Sequence, residues 1–303
     1  MIYHFYPIDR PMIWGAEQWI LSAYPGRDSI CVETGKNIWH MLCEQKEQLV
    51  GKRVFARYGD TFPLLIKFID ARDDLSVQVH PSDELAQKYG EPWGKTEMWY
   101  TLPSEQGAKL YCGLKQQLSP DEYKQMVADK TILDALAAYE VKEGDCFFIP
   151  AGRIHSIGSG CQLCEIQQTS DTTYRIYDYD RRDKDGNPRE LHTERAAESI
   201  DYTVHDDYCV NYRAELDKPS TIIQCQYFTT NILQVSKPMV RDYSRLDSFV
   251  CLICLEGECT LTEQAEGKKT VVKPRELVLL PATTAAVQLS GTFRALEVYV
   301  ESE

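Results

Sequence analysis

The segment Leu75-Ser76-Val77-Gln78-Val79-His80-Pro81 alternates in character, so an extended strand there sets Ser76, Gln78 and His80 on one face and Val77 and Val79 on the other. A polar face backed by valines is the pattern of a lined cavity. The same period in Gly94-Lys95-Thr96-Glu97-Met98-Trp99-Tyr100 puts Lys95 and Glu97 side by side, Glu97 as an oxygen ligand and Lys95 as a charge for an anion. His155 supplies a second imidazole. Gln78, His80, Glu97 and His155 together offer two ring nitrogens and two oxygens, a borderline-hard donor set that suits zinc and, less strongly, manganese, iron or cobalt. Taken singly, His80 before a proline and His155 after Arg153-Ile154 read more plainly as strand-end histidines bonded to backbone or water. The metal reading rests on all four residues falling in strand patterns. His4, His40, His192 and His205 have no comparable setting and read as surface or structural residues.

Strands must position these groups. Short runs rich in β-branched and aromatic residues recur at Phe62 to Ile69, Glu97 to Thr101, Asp145 to Pro150, Leu163 to Gln168, Thr221 to Val235, Phe249 to Thr262, Glu276 to Leu280 and Phe293 to Val300. The chain is therefore mainly β. One helical stretch is expected over Ser119 to Tyr139, where Ser119-Pro120-Asp121-Glu122 supplies a cap with proline in the first turn. The run Val141 to Ala151 also aligns with Val272 to Ala282 at a constant offset of 131 positions, each copy an acidic turn followed by an apolar strand that ends in proline. Two copies of one β unit explain it. The first copy carries Gly144-x5-Pro150-x-Gly152-x2-His155, which resembles a motif of the cupin superfamily, whose jelly-roll barrel holds a metal in its mouth. At that offset the counterpart of His155 is Ala286, so one barrel is expected to bind metal and the other not.

Composition narrows the function. With 33 basic against 46 acidic residues and a net charge of -13, the chain lacks the broad basic face that nucleic acid or an anionic membrane requires. No apolar run approaches the roughly 18 residues of a spanning helix, and Met1 to Gly15 has no signal-peptide core, so a soluble, cytoplasmic protein is expected. Eleven cysteines sit mostly inside apolar runs and read as reduced core residues, the pairs Cys161/Cys164 and Cys251/Cys254 included. A small anionic substrate then needs a local basic cluster.

Pro63 to Asp70, Leu75 to Pro81, Gly94 to Tyr100 and Gln168-Thr169-Ser170-Asp171-Thr172-Thr173-Tyr174-Arg175-Ile176-Tyr177-Asp178 resemble, in order, the type I mannose-6-phosphate isomerases, in their short bacterial form. That resemblance implies two cupin (jelly-roll, double-stranded β-helix) barrels with a small helical insertion: residues 1-210 a metal-binding catalytic domain with the insertion near 116-140, residues 220-303 a metal-free degenerate domain. It implies one zinc ion per chain held by Gln78, His80, Glu97 and His155, Arg175 as the catalytic arginine, and Lys67, Ser76 and Lys95 lining the sugar-phosphate site. The implied chemistry moves a proton between C1 and C2 of a sugar phosphate through a cis-enediol, in a monomer or weak homo-oligomer. The residues alone leave Arg175 open to an ordinary ion pair with Asp171 or Asp178. They leave the base open among Glu97, a lysine, a carboxylate such as Asp178 and a metal-bound water. The competing class is a non-catalytic sugar-phosphate-binding or regulatory cupin with a structural metal.

Overall fold

Alternating and β-branched runs become strands in a computed structural model that describes residues 1–182, 185–264 and 267–301. The final positions of the expected second domain, 302 and 303, lie outside the described residues. The chain divides into two compact units, Asp9–Gln18 with Ile66–Val210, and Met1–Ile8 and Trp19–Leu65 with Asn211–Glu303. Met1–Ile8 and Trp19–Leu65, placed by sequence in the first domain, thus group with the carboxyl-terminal third. Long-range pairing decides this: Tyr3 and His4 form a strand against Leu279 and Val278, and Phe62 packs on Phe249 with ring centroids 4.6 Å apart.

The sheets that carry the polar strand face are built from β1 (Ile8–Met12), β2 (Gly15–Leu21), β3 (Leu64–Ala71), β4 (Val77–Val79), β5 (Glu97–Thr101), β6 (Lys109–Leu114), β7 (Leu136–Glu140), β8 (Cys146–Ile149), β9 (His155–Ile157), β10 (Gln162–Gln168) and β11 (Tyr174–Tyr177). Helices α1 (Asp83–Lys88), α2 (Pro120–Ala128) and α3 (Thr193–Ser199) join them. One sheet runs β8-β5-β10-β3-β2-β1, the other β7-β6-β9-β4-β11. Val77 and Val79 bury with Leu114, Tyr123, Ile154 and Ile176, which frees the opposite face of β4 for polar residues.

Helix α2 starts where the sequence places it: the Ser119 hydroxyl accepts from the Glu122 amide at 3.3 Å, and the Glu122 carboxylate takes the Ser119 amide at 2.7 Å. It stops eleven residues short of the expected Tyr139. Lys130 turns left-handed at φ 59, a single 3-10 turn covers Ile132–Ala135, and Leu136–Glu140 pairs with β6 as strand β7. The apolar period that reads as continued helix instead serves a strand edge.

The second unit carries β12 (Pro219–Gln224), β13 (Thr229–Val235), β14 (Met239–Asp242), β15 (Val250–Gly257), β16 (Cys259–Glu263), β17 (Lys269–Val272), β18 (Leu277–Leu280), β19 (Ala286–Ser290) and β20 (Phe293–Tyr299). Its sheets contain the orders β18-β15-β20-β13 and β17-β16-β19-β14, which repeat β8-β5-β10-β3 and β7-β6-β9-β4 strand for strand. Registers refine the repeat. Ile149 pairs with Glu97 as Leu280 pairs with Val250, so Val250 stands where Glu97 stands. Trp99 pairs with Glu165 as Leu252 pairs with Glu297. His155 pairs with Gln78 as Val287 pairs with Arg241, and Val287 is fully buried whereas Ala286 is partly exposed. The inward counterpart of His155 is therefore Val287, one residue beyond the Ala286 that the constant offset gives. The fully buried Glu297 carboxylate receives Arg241 through Nε and Nη2, both at 2.8 Å, Tyr243 Oη at 2.6 Å and Asn231 Nδ2 at 2.9 Å.

The described residues show no disulfide, and eight of the eleven cysteines are buried, Cys161, Cys164, Cys251 and Cys254 included. No helix among the described residues is long and apolar enough to cross a membrane.

Candidate active site

Three strands lay the central row of the site. On β4, Gln78 pairs with His155 of β9 on one side and with Arg175 of β11 on the other, so the three side chains stand abreast. Glu97 opens β5 and is wholly buried. Gly94 brings it there: a Cβ on Gly94 would lie 2.5 Å from Asp83 N and 2.6 Å from Pro81 O, so only glycine lets this segment cross the turn that follows His80. The crossing is stitched by Lys95 N–H to Pro81 O at 3.0 Å and Gly94 N–H to the Asp83 carboxylate at 2.8 Å. Gly152 of the cupin-like motif, at φ 89, donates its N–H to His80 O at 2.9 Å and so ties the His155 turn to the end of β4.

Among the described residues, one group of histidine, cysteine and carboxylate side chains comes together closely enough to share an ion: His80, Glu97 and His155, whose ligand atoms lie within 4.8 Å of one another. Glu97 Oε2 is 3.5 Å from His80 Nε2, and Glu97 Oε1 is 3.6 Å from His155 Nε2. His80 Nδ1 donates to Thr172 O at 2.9 Å and His155 Nδ1 to Arg153 O at 2.8 Å, which fixes both tautomers with the Nε2 lone pair turned to the carboxylate. Burial pushes the His80 imidazole down to about 3, with Lys95 adding to the effect, and lowers His155 in the same way. Both rings are therefore neutral at neutral pH, the form in which an imidazole can bind a metal. Burial alone would raise Glu97, but Lys95, with Nζ 2.7 Å from Oε2, and the two imidazoles hold it well below the ordinary carboxylate range. His80 Nε2 and Glu97 Oε1 are buried without a hydrogen-bond partner, which is the condition of atoms arranged for a cation. The residues fit a metal by that test. Gln78 is placed with Nε2 3.2 Å from His155 Nε2, and half a turn of its amide presents the oxygen instead.

Beside this triad lies a cavity of about 300 Å³, lined by Ser76, Gln78, Lys67, Lys95 and Arg175 among others, so every residue expected to touch sugar phosphate reaches it. His80, Glu97 and His155 are not among its lining residues, and Gln78 and Lys95 stand between. How the lysines are held is not legible from local pattern. Lys67 sits 3.2 Å from Glu165 and 3.5 Å from Glu17, and Lys95 sits 3.2 Å from Glu165. Both are almost wholly buried rather than snorkelling at a rim, and although burial opposes it, Glu165 and its neighbours raise both ammonium groups. Glu165 faces inward by the alternation of β10 and has a repeat mate in Glu297, a signal that could have found it. Arg10, Glu17 and Arg189 also line the cavity, from segments with no readable pattern, as do Asp171, from the family-like segment Gln168 to Asp178, and His192, which the sequence alone marks as surface or structural. Asp178, a candidate base on sequence, is gripped instead by Arg181 at 3.0 Å and by Arg189 Nε at 2.6 Å.

Residues 6–124 match the family described as phosphomannose isomerase type I, catalytic domain, and residues 218–300 match mannose-6-phosphate isomerase, cupin domain. The chain is 34% identical over 275 residues to mannose-6-phosphate isomerase ManA of Bacillus subtilis, covering 84% of this chain and 85% of that one. The chain belongs to the type I mannose-6-phosphate isomerase family. A crystal structure of mannose 6-phosphate isomerase from Bacillus subtilis shares the fold with a TM-score of 0.88 and 28% identity, over 99% of each chain. A mannose 6-phosphate isomerase described as holo and zinc bound, 15% identical, overlays 99% of both chains with a TM-score of 0.81, and shows the fold alone. As a member of this isomerase family the chain is mainly β and cupin-like, with the jelly-roll strand order in each unit.

Proposed function

We propose that the chain interconverts D-mannose 6-phosphate and D-fructose 6-phosphate through a cis-enediol, with zinc held by Gln78, His80, Glu97 and His155. What carries this reading is the closed His80, Glu97 and His155 triad, both rings locked with Nε2 toward the carboxylate, beside a cavity that Arg175 lines. The zinc-bound family member supports the choice of metal. Zinc in that place supplies a Lewis acid for the O1 and O2 oxygens, where negative charge develops as the proton leaves carbon.

The protein's own groups do the rest. Arg175 keeps its charge at any physiological pH, stands beside Gln78 and orients the same two oxygens. Its Nε is buried without a hydrogen-bond partner, while Nη1 is held by Glu190 O at 3.0 Å. Five cationic side chains line the cavity, Arg10, Lys67, Lys95, Arg175 and Arg189, against the three carboxylates Glu17, Glu165 and Asp171. That local excess receives a dianionic phosphate in a chain whose overall charge is -13. Lys67 and Lys95 meet the sugar phosphate with ammonium protons left over from their carboxylate partners, and Ser76 adds a hydroxyl. The residues named here all lie in the unit Asp9–Gln18 with Ile66–Val210.

A coupled assay for fructose 6-phosphate formation from mannose 6-phosphate tests the proposal, run as purified, after chelation and after adding zinc, manganese, cobalt or iron. Activity lost to chelation and restored by zinc is expected. A chain that binds zinc and sugar phosphate yet turns nothing over would instead be the regulatory cupin.

A further inference from the structure

Arg175 lies on β11, the edge strand of its sheet, so one side of its backbone has no strand to pair with. On an antiparallel strand the N–H and C=O of one residue point to the same side. At Arg175 both point away from β4 and both end on one residue: Arg175 N–H donates to His192 Nδ1 at 3.0 Å, and His192 N–H donates to Arg175 O at 2.7 Å. One histidine thus does for this residue what a neighbouring strand would do, with its ring supplying the acceptor and its backbone the donor. The same short segment holds the side chain, since Arg175 Nη1 donates to Glu190 O at 3.0 Å.

The ring is committed to this task. His192 is the residue before α3, where a side-chain acceptor ordinarily caps its own helix, yet it makes no such bond. Its main chain still opens the helix, because Ala196 N–H donates to His192 O at 2.8 Å. Helix α3 is anchored in turn by α2, through Tyr123 Oη to Thr193 O at 3.4 Å and Lys124 to Glu194 at 2.6 Å. Tyr174 packs beside the ring with centroids 6.1 Å apart. A continuous line of contacts runs from the helical insertion, through α3 and His192, to the backbone of the arginine.

We propose that His192 is a positioning residue for Arg175, its Nδ1 and backbone N–H together fixing where the edge strand presents the guanidinium to the cavity. The inference rests on the role given above to Arg175. Misplacing a catalytic group by about 1 Å reduces turnover by on the order of a hundredfold, and substrate affinity far less when the group acts on the transition state. His192→Leu removes the acceptor. His192→Asn restores one, because Asn Oδ1 stands at the same number of bonds from Cα as His Nδ1, and His192→Gln carries its oxygen one bond too far.

The experiment measures kcat, KM and metal content for His192→Leu, His192→Asn, His192→Gln, Arg175→Ala and the double variant Arg175→Ala with His192→Leu. Expected are a kcat about tenfold to a hundredfold lower for His192→Leu with KM within about threefold, recovery of most of that loss in His192→Asn alone, unchanged metal per chain, and a double variant no slower than Arg175→Ala by more than about threefold. Equal impairment of the Leu and Asn variants, or a Leu substitution that slows the Arg175→Ala enzyme by its full factor, overturns the proposal and leaves His192 merely structural. Should His192→Leu fold poorly, the comparison of Asn with Gln decides the same point. If Arg175→Ala itself keeps full turnover, the role of Arg175 falls first, and that result is distinct from an Arg175→Ala collapse with an unaffected His192→Leu.

Discussion

Gly94→Ala is the smallest change that reaches the metal donors without touching one. The added methyl would meet Asp83 N and Ser82 C at 2.5 Å and Pro81 O at 2.6 Å, all backbone atoms that cannot swing aside. Ordinary contact begins at 3.4 Å, so the strand that leads to Glu97 and the turn that follows His80 must part by about 0.9 Å. Metal ligands tolerate errors of about 0.2 Å, and the displacement is several times that. Overpacking of this kind costs about 1 to 3 kcal/mol, and disturbing the support of a metal ligand typically weakens metal binding by roughly tenfold to a hundredfold. Zinc affinity measured by competition with a chromophoric chelator, alongside urea unfolding of the metal-free chain, reads both effects. A variant that binds zinc as tightly as the parent and unfolds at the same urea concentration would refute the idea that Gly94 sets the distance between the two arms.

Other outcomes follow from the same geometry. Arg175→Ala is expected to cut turnover by at least about a hundredfold while zinc per chain stays the same, whereas His155→Ala loses the metal; elemental analysis after dialysis separates them, and full zinc retention by His155→Ala would remove it from the donor set. Glu297→Ala strands Arg241, Tyr243 and Asn231 without their shared acceptor, and breaking a buried pair of this kind costs about 3 to 5 kcal/mol, which a urea midpoint no lower than the parent's would contradict. Burial raises the thiols of Cys161 and Cys254 to about 11 and Cys112 to about 12, above the ordinary value of 9.0. These groups stay neutral in the folded chain while the unfolded chain gives up their protons, so stability is full below pH 9 and falls as pH rises through 11 and 12; a urea midpoint under reducing conditions that stays level from pH 8 to 10.5 would refute this.

The polar face of β4 and the approach of Glu97 were legible because a two-residue period states which side chains share a face, and valines on the other face say which way the strand lies. The cupin-like motif was legible for a similar reason, since Gly152 marks a left-handed turn that only a few residues accept. The helix expected to reach Tyr139 misleads because apolar residues at Ile132, Leu133 and Leu136 fit a helical period as well as a 3-10 turn followed by a strand. Nothing in a local pattern could tell that Tyr3 and His4 pair with residues 276 and 274 positions away, as Leu279 and Val278 are nearest in space rather than in sequence. Nor could it expose His192, whose partner is a backbone amide on an edge strand, or Glu17, the second carboxylate on Lys67 and a partner of Arg10. One-residue precision also failed at the repeat, where a constant offset points to Ala286 and the strand register points to Val287.

In the second copy of the strand order, the place of Gln78 is taken by Arg241, whose guanidinium closes on Glu297 through two bonds of 2.8 Å. The cation that meets Glu297 is part of the chain, as Lys67 and Lys95 are for its repeat mate Glu165. Such a charge cannot be chelated, diluted or displaced by a competing ion, so that copy keeps its counterion under any regime of metal supply. With the metal placed as proposed, scarcity of metal is felt in one copy alone, while the internal ion pair of the other carries on unchanged.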